Sequence, residues 1–264
     1  MTLLERVVYP GFRRVDFRGK GRLRSRLAVP SEGRRVVDFP GGMRLRLDLR
    51  ESLQRDFLFG LYDRHELRLL RRFLEPGGDF VDVGAHIGMY SVAAALALGD
   101  RGRVLAFEPN PDARGQLEEN LALNGCGNVI VSPAAVSDHA GEALLHVPRT
   151  SDPSFSSLGG GRFAEGEPLR VVTTTLDDEV ESAGLSPAFV KVDVEGGELA
   201  VLAGAERTLG GHPGLLVEVG NESARAAEER LAALGYRAFV VGRRRLQPGL
   251  ASAQGTVNAL FVAV

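Results

Sequence analysis

The chain has 264 residues, of which 44% are hydrophobic and 6% aromatic, and this predicts one large globular domain or a domain with a small appendage. No apolar run reaches the roughly 20 residues of a membrane span, and the single cysteine, Cys126, excludes a disulfide framework and a zinc-type cysteine cluster. The N-terminus lacks an apolar stretch followed by a small-residue cleavage site. A cytoplasmic protein without membrane contact is therefore expected.

Charge is distributed unevenly along the chain. The formal net charge is -2, yet residues 1–50 carry 13 basic against 5 acidic residues. This basic front could face an anionic surface, such as a phosphorylated substrate or an acidic carrier protein. The alternative is that its arginines are solvated strand and loop residues. Because stacking aromatic residues are not interleaved with them, a nucleic-acid site is not expected.

The front of the chain predicts a small appendage. Residues 36–39 and 43–49 flank a Pro-Gly-Gly turn and alternate with period two, which indicates a β-hairpin. Residues 53–74 follow a helical pattern that stops at a Glu-Pro-Gly-Gly segment. A hairpin extension of residues 1–52 is too small to bury its own core, so we expect it to pack on a main domain of residues 53–264.

From residue 78 onward, apolar segments of strand length alternate with amphipathic helical patterns. The predicted strands are 80–84, 103–108, 129–136, 189–193 and 215–219, and the predicted helices are 89–98, 111–123, 198–209 and 223–234. This alternation is typical of a parallel sheet covered on both faces, the doubly wound α/β architecture.

Two regions interrupt the alternation. Residues 137–175 contain two strand-like runs joined by a Ser- and Gly-rich loop, 149–168, which is long enough to be functional. Near the C-terminus, strands 236–241 and 256–262 have no helix between them. Two such strands are most simply antiparallel neighbours.

The first strand of the main domain opens into Gly84-Ala85-His86-Ile87-Gly88. At the carboxyl edge of a parallel strand, glycines let the backbone approach a ligand, and the next helix offers free amide N–H groups. The next strand ends in Glu108, 24 positions after Gly84, where a carboxylate can accept hydrogen bonds from both hydroxyls of a ribose. The pattern predicts a ribose-containing cofactor, with an ordinary strand-to-helix turn as the alternative.

The choice of cofactor depends on the glycine count and on one carboxylate. The turn lacks the third glycine of the dinucleotide pattern G-x-G-x-x-G. Asp82 would repel a pyrophosphate but tolerate an amino-acid tail or a sulfonium. S-adenosylmethionine (SAM) therefore fits better than NAD.

A second acidic cluster follows strand 189–193. Period two places Lys191, Asp193 and Glu195 on one side of the strand, and Glu198 lies in the first turn of the next helix. Carboxylates at this edge converge on the crevice where open α/β sheets bind ligands. Glu198 alone could be an N-terminal helix charge, but burying Asp193 and Glu195 for structure alone would be costly.

Four segments together resemble the FkbM family of SAM-dependent methyltransferases: VDVGAHIG, FEPNP, AVSD and VKVDVEGGELAVLAGA. The resemblance covers about residues 53–240. It implies a Rossmann-like class I methyltransferase fold with a seven-stranded, mostly parallel sheet and an antiparallel last strand. Family members commonly carry asparagine where this chain has His86, which leaves open whether this position only shapes the turn or also titrates.

The resemblance also implies roles for individual residues. The cofactor-binding set is Asp82, Gly84, Ala85, His86, Gly88, Glu108, Pro109, Asn110, Ser137 and Asp138. In this set Glu108 would hold the ribose hydroxyls, and Ser137 and Asp138 would lie near the adenine. Asp193 would face the surroundings of the methyl group.

The expected activity is transfer of a methyl group from SAM to a hydroxyl of a small molecule, a sugar or a natural product. Asp193, Glu195 and His86 are the candidate catalytic residues, because a base must receive the hydroxyl proton. In a rival use, Asp193 and Glu195 bind a divalent ion together with Glu218. An NAD-dependent oxidoreductase and a non-catalytic interaction module of the same fold are the alternative functions.

Several elements are expected to surround the substrate. Tyr62 and His65 precede the first core strand and could close over the cofactor, or else pack a helix. The loop 149–168 and the basic hairpin are the expected substrate walls. Self-association of the chain stays open.

Overall fold

The computed structural model describes residues 33–60, 64–74, 77–147, 157–158, 167–242, 245–251 and 255–264. The strands in these ranges are β1 (Arg34–Asp38), β2 (Arg44–Asp48), β3 (Asp79–Val83), β4 (Val104–Phe107), β5 (Val129–Ser132), β6 (Ala135–Val136), β7 (Gly141–Val147), β8 (Ser157–Leu158), β9 (Glu167–Thr174), β10 (Pro187–Val192), β11 (Gly214–Val219), β12 (Tyr236–Val241), β13 (Leu246–Pro248) and β14 (Val257–Ala263). The α-helices are α1 (Ser52–Leu58), α2 (Arg64–Phe73), α3 (Met89–Leu98), α4 (Pro111–Asn124), α5 (Leu176–Ser182), α6 (Glu198–Ala203), α7 (Glu206–Gly210) and α8 (Asn221–Ala233).

The main sheet has the predicted topology. Its order is β13-β12-β14-β11-β10-β3-β4-β5, in which the five strands from β11 to β5 are parallel. The last strand, β14, runs antiparallel to both of its neighbours, β11 and β12. The seven-stranded order with an antiparallel last strand is therefore confirmed, and the three-residue β13 adds an eighth strand at the edge. The fold is the Rossmann-like class I methyltransferase arrangement.

Helices cover both faces of this sheet, as the continuous apolar strands predict. On one face Phe80 and Phe189 belong to a buried cluster that includes residues of α3. On the other face Val81 and Val190 pack in a second cluster with residues of α6 and α8. Among helices in the described ranges, none combines the length and the apolar character needed to cross a bilayer.

The hairpin shares the core of the main sheet. β1 and β2 pair antiparallel, and the inward-facing Val37, Leu45 and Leu47 belong to the same buried cluster as Phe80. Two hairpin arginines pair with one glutamate of α4: a side-chain nitrogen of Arg34 lies 3.1 Å, and one of Arg46 3.6 Å, from carboxylate oxygens of Glu119. Part of the basic charge at the front of the chain is thus balanced within the protein.

A second sheet was not predicted from the sequence. It has the order β6-β9-β7-β8, in which β7 pairs antiparallel with β9 and β8, whereas β6 pairs parallel with β9. The strand-like patterns of β7 and β9 were recognised, but their pairing and the helix α5 that follows were not. The predicted substrate loop, 149–168, lies largely outside the described residues.

Three predicted elements are interrupted. The helix over 53–74 is wrong as one unit, because α1 ends before Gly60, which has φ +61°. The strand over 129–136 is split at Pro133, which has no N–H for a sheet hydrogen bond, and its second half joins the other sheet. The helix over 198–209 divides at Gly204, where a side chain would overlap the carbonyl oxygen of Ser137.

Candidate functional site

The carboxyl ends of three neighbouring parallel strands meet at one edge of the main sheet. Val83, the last residue of β3, pairs in register with Phe107 of β4 and with Val192 of β10. The residues that follow these strands, Gly84 and Glu108 among them, are therefore adjacent. In open α/β sheets this edge is the place where ligands bind.

Two glycines shape the loop after β3. Gly84 has φ +81°, and a side chain there would overlap the carbonyl oxygen of Asp193. Gly88 has φ +87° directly before α3, and a side chain there would collide with Leu117 of α4. The glycines thus let the loop pack between two other elements, in conformations that residues with a Cβ adopt only under strain.

Glu108 is held by hydrogen bonds from backbone N–H groups, one of them in this loop. Its two carboxylate oxygens accept hydrogen bonds from the backbone N–H groups of His86 at 2.7 Å and of Asn110 at 2.9 Å. Burial outweighs these bonds and raises the pKa of Glu108 to about 7. Since each carboxylate oxygen has two lone pairs, both can still accept a hydroxyl hydrogen.

His86 contributes through its backbone. It has φ +50°, a left-handed conformation in which asparagine, aspartate and histidine are enriched among non-glycine residues. This requirement accounts for histidine at a position where the family commonly carries asparagine. A role for the imidazole as a base stays a prediction.

Asp82 lies beneath the loop and is fully buried. Its carboxylate accepts a hydrogen bond from the Ser91 hydroxyl at 2.6 Å, and its other oxygen lies 3.5 Å from Nζ of Lys191. Burial raises the pKa of Asp82, while the Lys191 ammonium and the Ser91 hydroxyl act in the opposite direction. Its expected place near the amino-acid tail or the sulfonium of SAM stays a prediction.

Three carboxylates gather at the ends of β10 and β11: Asp193 and Glu195 follow β10, and Glu218 lies on β11. Asp193, Glu195 and Glu218 each present one oxygen within 4.8 Å of the others, and all three are half-buried. Glu195 has φ +54°, so its backbone is left-handed like that of His86. Such a group can receive a proton or offer oxygen ligands to a hard cation, and exposed acidic groups commonly cluster without an ion. The structure thus joins the predicted catalytic pair to the residue of the rival metal hypothesis.

The residues after Glu108 organise the start of α4. The Asn110 side chain accepts a hydrogen bond from the Asp112 N–H at 3.0 Å and so caps the helix. The Pro109 carbonyl accepts one from the Arg114 guanidinium at 3.2 Å. Both residues lie beside Glu108, and their expected role in shaping the pocket around the adenosine stays a prediction.

Other predicted residues have different neighbours. The Ser137 N–H donates to the Thr174 carbonyl at 2.8 Å, in the second sheet, and Asp138 pairs with the exposed His139 at 2.6 Å. Their place near the adenine stays a prediction. Glu198 is buried and accepts a hydrogen bond from the Gly196 N–H at 2.8 Å, which supports its interpretation as a residue of the helix start.

The predicted covering residues are only partly described. His65 lies in α2 and is half-buried, whereas Tyr62 lies outside the described residues. Their closure over a cofactor stays a prediction.

Two contacts at the site were missed by sequence reasoning. The Lys191 ammonium donates to the Gly84 carbonyl at 2.9 Å, although period two had placed it only near Asp193. Asn120 of α4 donates to the Ile87 carbonyl at 2.9 Å and accepts from the Arg46 N–H at 2.6 Å. The feature that marks Asn120 is that its amide is fully buried inside a helix, and this burial cannot be seen from the sequence alone.

Known proteins similar to this chain include named methyltransferases. The hexuronic acid methyltransferase AglP of Haloferax volcanii is 32% identical over 155 residues, which are 58% of this chain and 60% of that protein. A probable cobalt-precorrin-6B C(15)-methyltransferase (decarboxylating) of Sulfurisphaera tokodaii is 29% identical over 124 residues, 46% of this chain and 59% of that protein. The chain thus spans about 60% of the length of each of these relatives.

This chain is also similar to a solved structure and to a family model of methyltransferases. The crystal structure of the FkbM methyltransferase from Methylobacillus flagellatus KT matches with a TM-score of 0.50 and 16% identity, over 78% of this chain and 52% of that one. The family model described as the methyltransferase FkbM domain matches residues 82–238. This span is more than half of the chain and contains the glycine loop, Glu108 and the carboxylates after β10. The chain therefore belongs to the FkbM methyltransferase family.

Proposed function

We propose that this protein is a SAM-dependent O-methyltransferase that methylates a hydroxyl of a small molecule, a sugar or a natural product. The observation that carries the proposal is the junction at the sheet edge. The loop that anchors Glu108 through the His86 N–H also packs, at Gly84, against the backbone of Asp193. The carboxylate proposed for the ribose and the carboxylate proposed for the acceptor hydroxyl thus belong to segments that meet at one edge of the sheet.

The chemistry of the residues present fits SAM. SAM, when bound, supplies a methyl group on a sulfonium, so the protein has to position two reactants and receive one proton. Glu108 would accept hydrogen bonds from the ribose hydroxyls. Asp193 or Glu195 would accept the proton that the acceptor hydroxyl loses as its oxygen forms the new bond to carbon.

The similarity to a hexuronic acid methyltransferase favours a sugar-like acceptor for this chain. A hydroxylated acceptor is also consistent with the half-buried carboxylates after β10, which can accept its hydrogen bonds. We further propose that the protein acts on a free small molecule, although an acidic carrier that docks on the basic front of the chain is a second option.

Equilibrium binding tests this function. The purified protein is expected to bind S-adenosylhomocysteine and to ignore NAD, as measured by isothermal titration calorimetry. Glu108→Ala is expected to weaken that binding by about tenfold or more, because the ribose hydroxyls lose the carboxylate that accepts their hydrogen bonds. The matched control is Glu118→Ala, which removes an exposed carboxylate from α4.

Three other outcomes would contradict the proposal. Binding of NAD in place of S-adenosylhomocysteine would favour the oxidoreductase. Normal S-adenosylhomocysteine binding by Glu108→Ala would remove the assigned ribose site. Tight binding without methyl transfer to any acceptor, in a tritium-transfer screen of hydroxylated compounds, would favour a non-catalytic module.

A further inference from the structure

Lysine is rare in this chain. Of its 32 basic residues 30 are arginine, and the two lysines are Lys20 and Lys191. Lys191 lies on the central strand β10 with only 6% of its side chain exposed. Burying an ammonium is costly unless oxygen atoms surround it. A chain that otherwise uses arginine has therefore placed a lysine at a buried strand position that borders the proposed cofactor loop.

The ammonium of Lys191 lies among three oxygen acceptors from different segments. It donates to the Gly84 carbonyl at 2.9 Å, and it lies 3.2 Å from a carboxylate oxygen of Asp193 and 3.5 Å from one of Asp82. The ring of Tyr90 covers another side, with its centroid 5.0 Å from Nζ. One charged group thus contacts the glycine loop, the strand beneath it and the acceptor-side carboxylate.

The geometry favours lysine over arginine. An ammonium is compact and directs three N–H donors tetrahedrally, whereas a guanidinium is planar and presents its donors in a rigid fork. The three acceptors belong to β3, to the loop after it and to the segment after β10, and the loop at Gly84 packs directly against the backbone of Asp193. A flat group would not reach all three acceptors without displacing the loop.

The electrostatic arrangement makes the ammonium more than a packing group. Asp82 lies on β3 and Asp193 directly follows the neighbouring β10, and the charge of Asp193 raises the pKa of Asp82. Lys191 lies within ion-pair distance of both carboxylates, so it compensates their repulsion. Without it, the carbonyl of Gly84 would lose a donor and two carboxylates would lose their shared cation.

We propose that Lys191 is a positioning residue that couples cofactor binding to the orientation of Asp193, by holding the Gly84 carbonyl and the Asp193 carboxylate at the same time. The inference rests on the proposed function. Lys191 need not touch either reactant. It sets the loop for the cofactor and fixes the carboxylate that faces the acceptor.

Binding of S-adenosylhomocysteine gives the first test. Lys191→Met keeps the length of the side chain and removes its charge, and we expect affinity to fall about tenfold or more. Lys191→Arg keeps the charge and is expected to restore little of that loss. The matched control Lys20→Met removes the only other lysine and is expected to leave the affinity unchanged. Circular dichroism and thermal unfolding establish that each variant is folded.

The rarity of lysine gives a second, spectroscopic test. In a Lys20→Arg protein with ¹³Cε-labelled lysine, a single lysine resonance reports on Lys191. In the ligand-free protein, Asp193→Asn is expected to shift this resonance, and the control Glu142→Gln, in the second sheet, is not. Addition of S-adenosylhomocysteine is expected to shift it as well, which a lysine with a merely structural role would not show.

The outcomes separate this inference from the proposed function. Suppose that the wild-type protein binds S-adenosylhomocysteine. If Lys191→Met then binds it equally well, or if the lysine resonance does not shift when it is added, the coupling role is wrong while the proposed function stands. If Lys191→Arg restores full affinity, charge alone suffices and the positioning role is wrong. If the wild-type protein does not bind S-adenosylhomocysteine, the proposed function fails, and this inference fails with it.

Discussion

At Glu108, burial and hydrogen bonding act on one carboxyl group in opposite directions. Burial raises its pKa from 4.5 to about 7, although two backbone N–H groups favour the ionised form. The folded protein therefore binds this proton more tightly than the unfolded chain does. As the pH rises from about 4.5 to about 7, ionisation of Glu108 lowers the free energy of unfolding, and above about pH 7 the loss is complete.

This linkage predicts a pH-dependent difference between the wild-type protein and Glu108→Gln. The unfolding free energy of the wild type should fall more steeply between pH 5 and 7, by up to about 3 kcal/mol, because glutamine does not ionise. Urea unfolding at several pH values measures this, with the exposed Glu142→Gln as the control. Parallel curves for Glu108→Gln and the wild type would show that the carboxyl titrates in its ordinary range.

Asp193 is the half-buried carboxylate that we expect to receive the acceptor proton. Asp193→Asn should reduce the rate of methyl transfer about 100-fold, the usual effect of losing a general base, and change S-adenosylhomocysteine affinity far less. Transfer from tritiated SAM and calorimetric binding measure the two effects. Glu195→Gln is the companion variant, and a larger rate loss there, with an unchanged rate for Asp193→Asn, would assign the proton to Glu195.

The cluster of three carboxylates formed by Asp193, Glu195 and Glu218 can be tested by a chelation experiment. We expect methyl transfer to survive exhaustive treatment with EDTA, because the proposed proton transfer needs no cation. The rate before and after chelation is the measurement, with added MgCl₂ as the reversal. Loss of activity that magnesium restores would instead support a divalent ion that holds the acceptor oxygens.

At the scale of elements, α4 links the hairpin to the glycine loop. Asn120 bonds both to the Arg46 N–H of β2 and to the Ile87 carbonyl of the loop. One turn later, Asn124 bonds to the backbone of Arg44 in β2, at 2.8 Å and 2.6 Å. Both asparagines therefore bond to the hairpin, but only Asn120 is seen to bond to the loop as well.

This difference makes the pair a matched experiment. Asn120→Ala should lower the unfolding free energy by about 2–4 kcal/mol, since it leaves a buried carbonyl and a partly buried N–H without their partner. It should also weaken S-adenosylhomocysteine binding, because the loop loses a bond. Asn124→Ala should reduce stability less and leave binding unchanged. Equal effects of the two variants on binding would show that the hairpin contact, rather than the loop bond, supports the site.

The sequence predicted elements well where local chemistry determines them. The strands that precede Gly84 and Glu108 are mainly apolar segments that end at a glycine and at a carboxylate, and the position of the site follows from their parallel order. The break at Gly204 depends on its contact with the Ser137 carbonyl, which joins segments distant in sequence. The contact between Lys191 and the Gly84 carbonyl likewise depends on the loop conformation, so periodicity alone could not reveal it.

At the scale of the whole molecule, one buried cluster unites the hairpin, the first two helices and the main sheet. Leu45 and Leu47 of β2 are fully buried in it, together with Phe59, Leu70 and Phe80. The expected boundary between residues 1–52 and 53–264 therefore crosses a continuous core. Such an appendage cannot leave the sheet without exposing apolar surface to water.

The shared core predicts cooperative unfolding of the hairpin and the sheet. Leu47→Ala should destabilise the protein by about 2–5 kcal/mol and reduce hydrogen-exchange protection in β1, β2 and β3 together. Val36→Ala, on the exposed face of β1, should have little effect. Rapid exchange of the hairpin amides beside a fully protected β3 would instead identify residues 1–52 as an independent unit.

The left-handed backbone at His86 and Glu195 limits how the specificity of this site can be changed. His86 follows β3 and Glu195 follows β10 at the carboxyl edge of the sheet, with φ +50° and +54°, and a β-branched residue at either position would add about 1–2 kcal/mol of strain. Glycine, asparagine and aspartate are the replacements that this backbone accepts. Few amino acids are therefore available at these two positions for changing the acceptor, and substitutions meant to alter substrate choice more strongly should be made at other residues around the site.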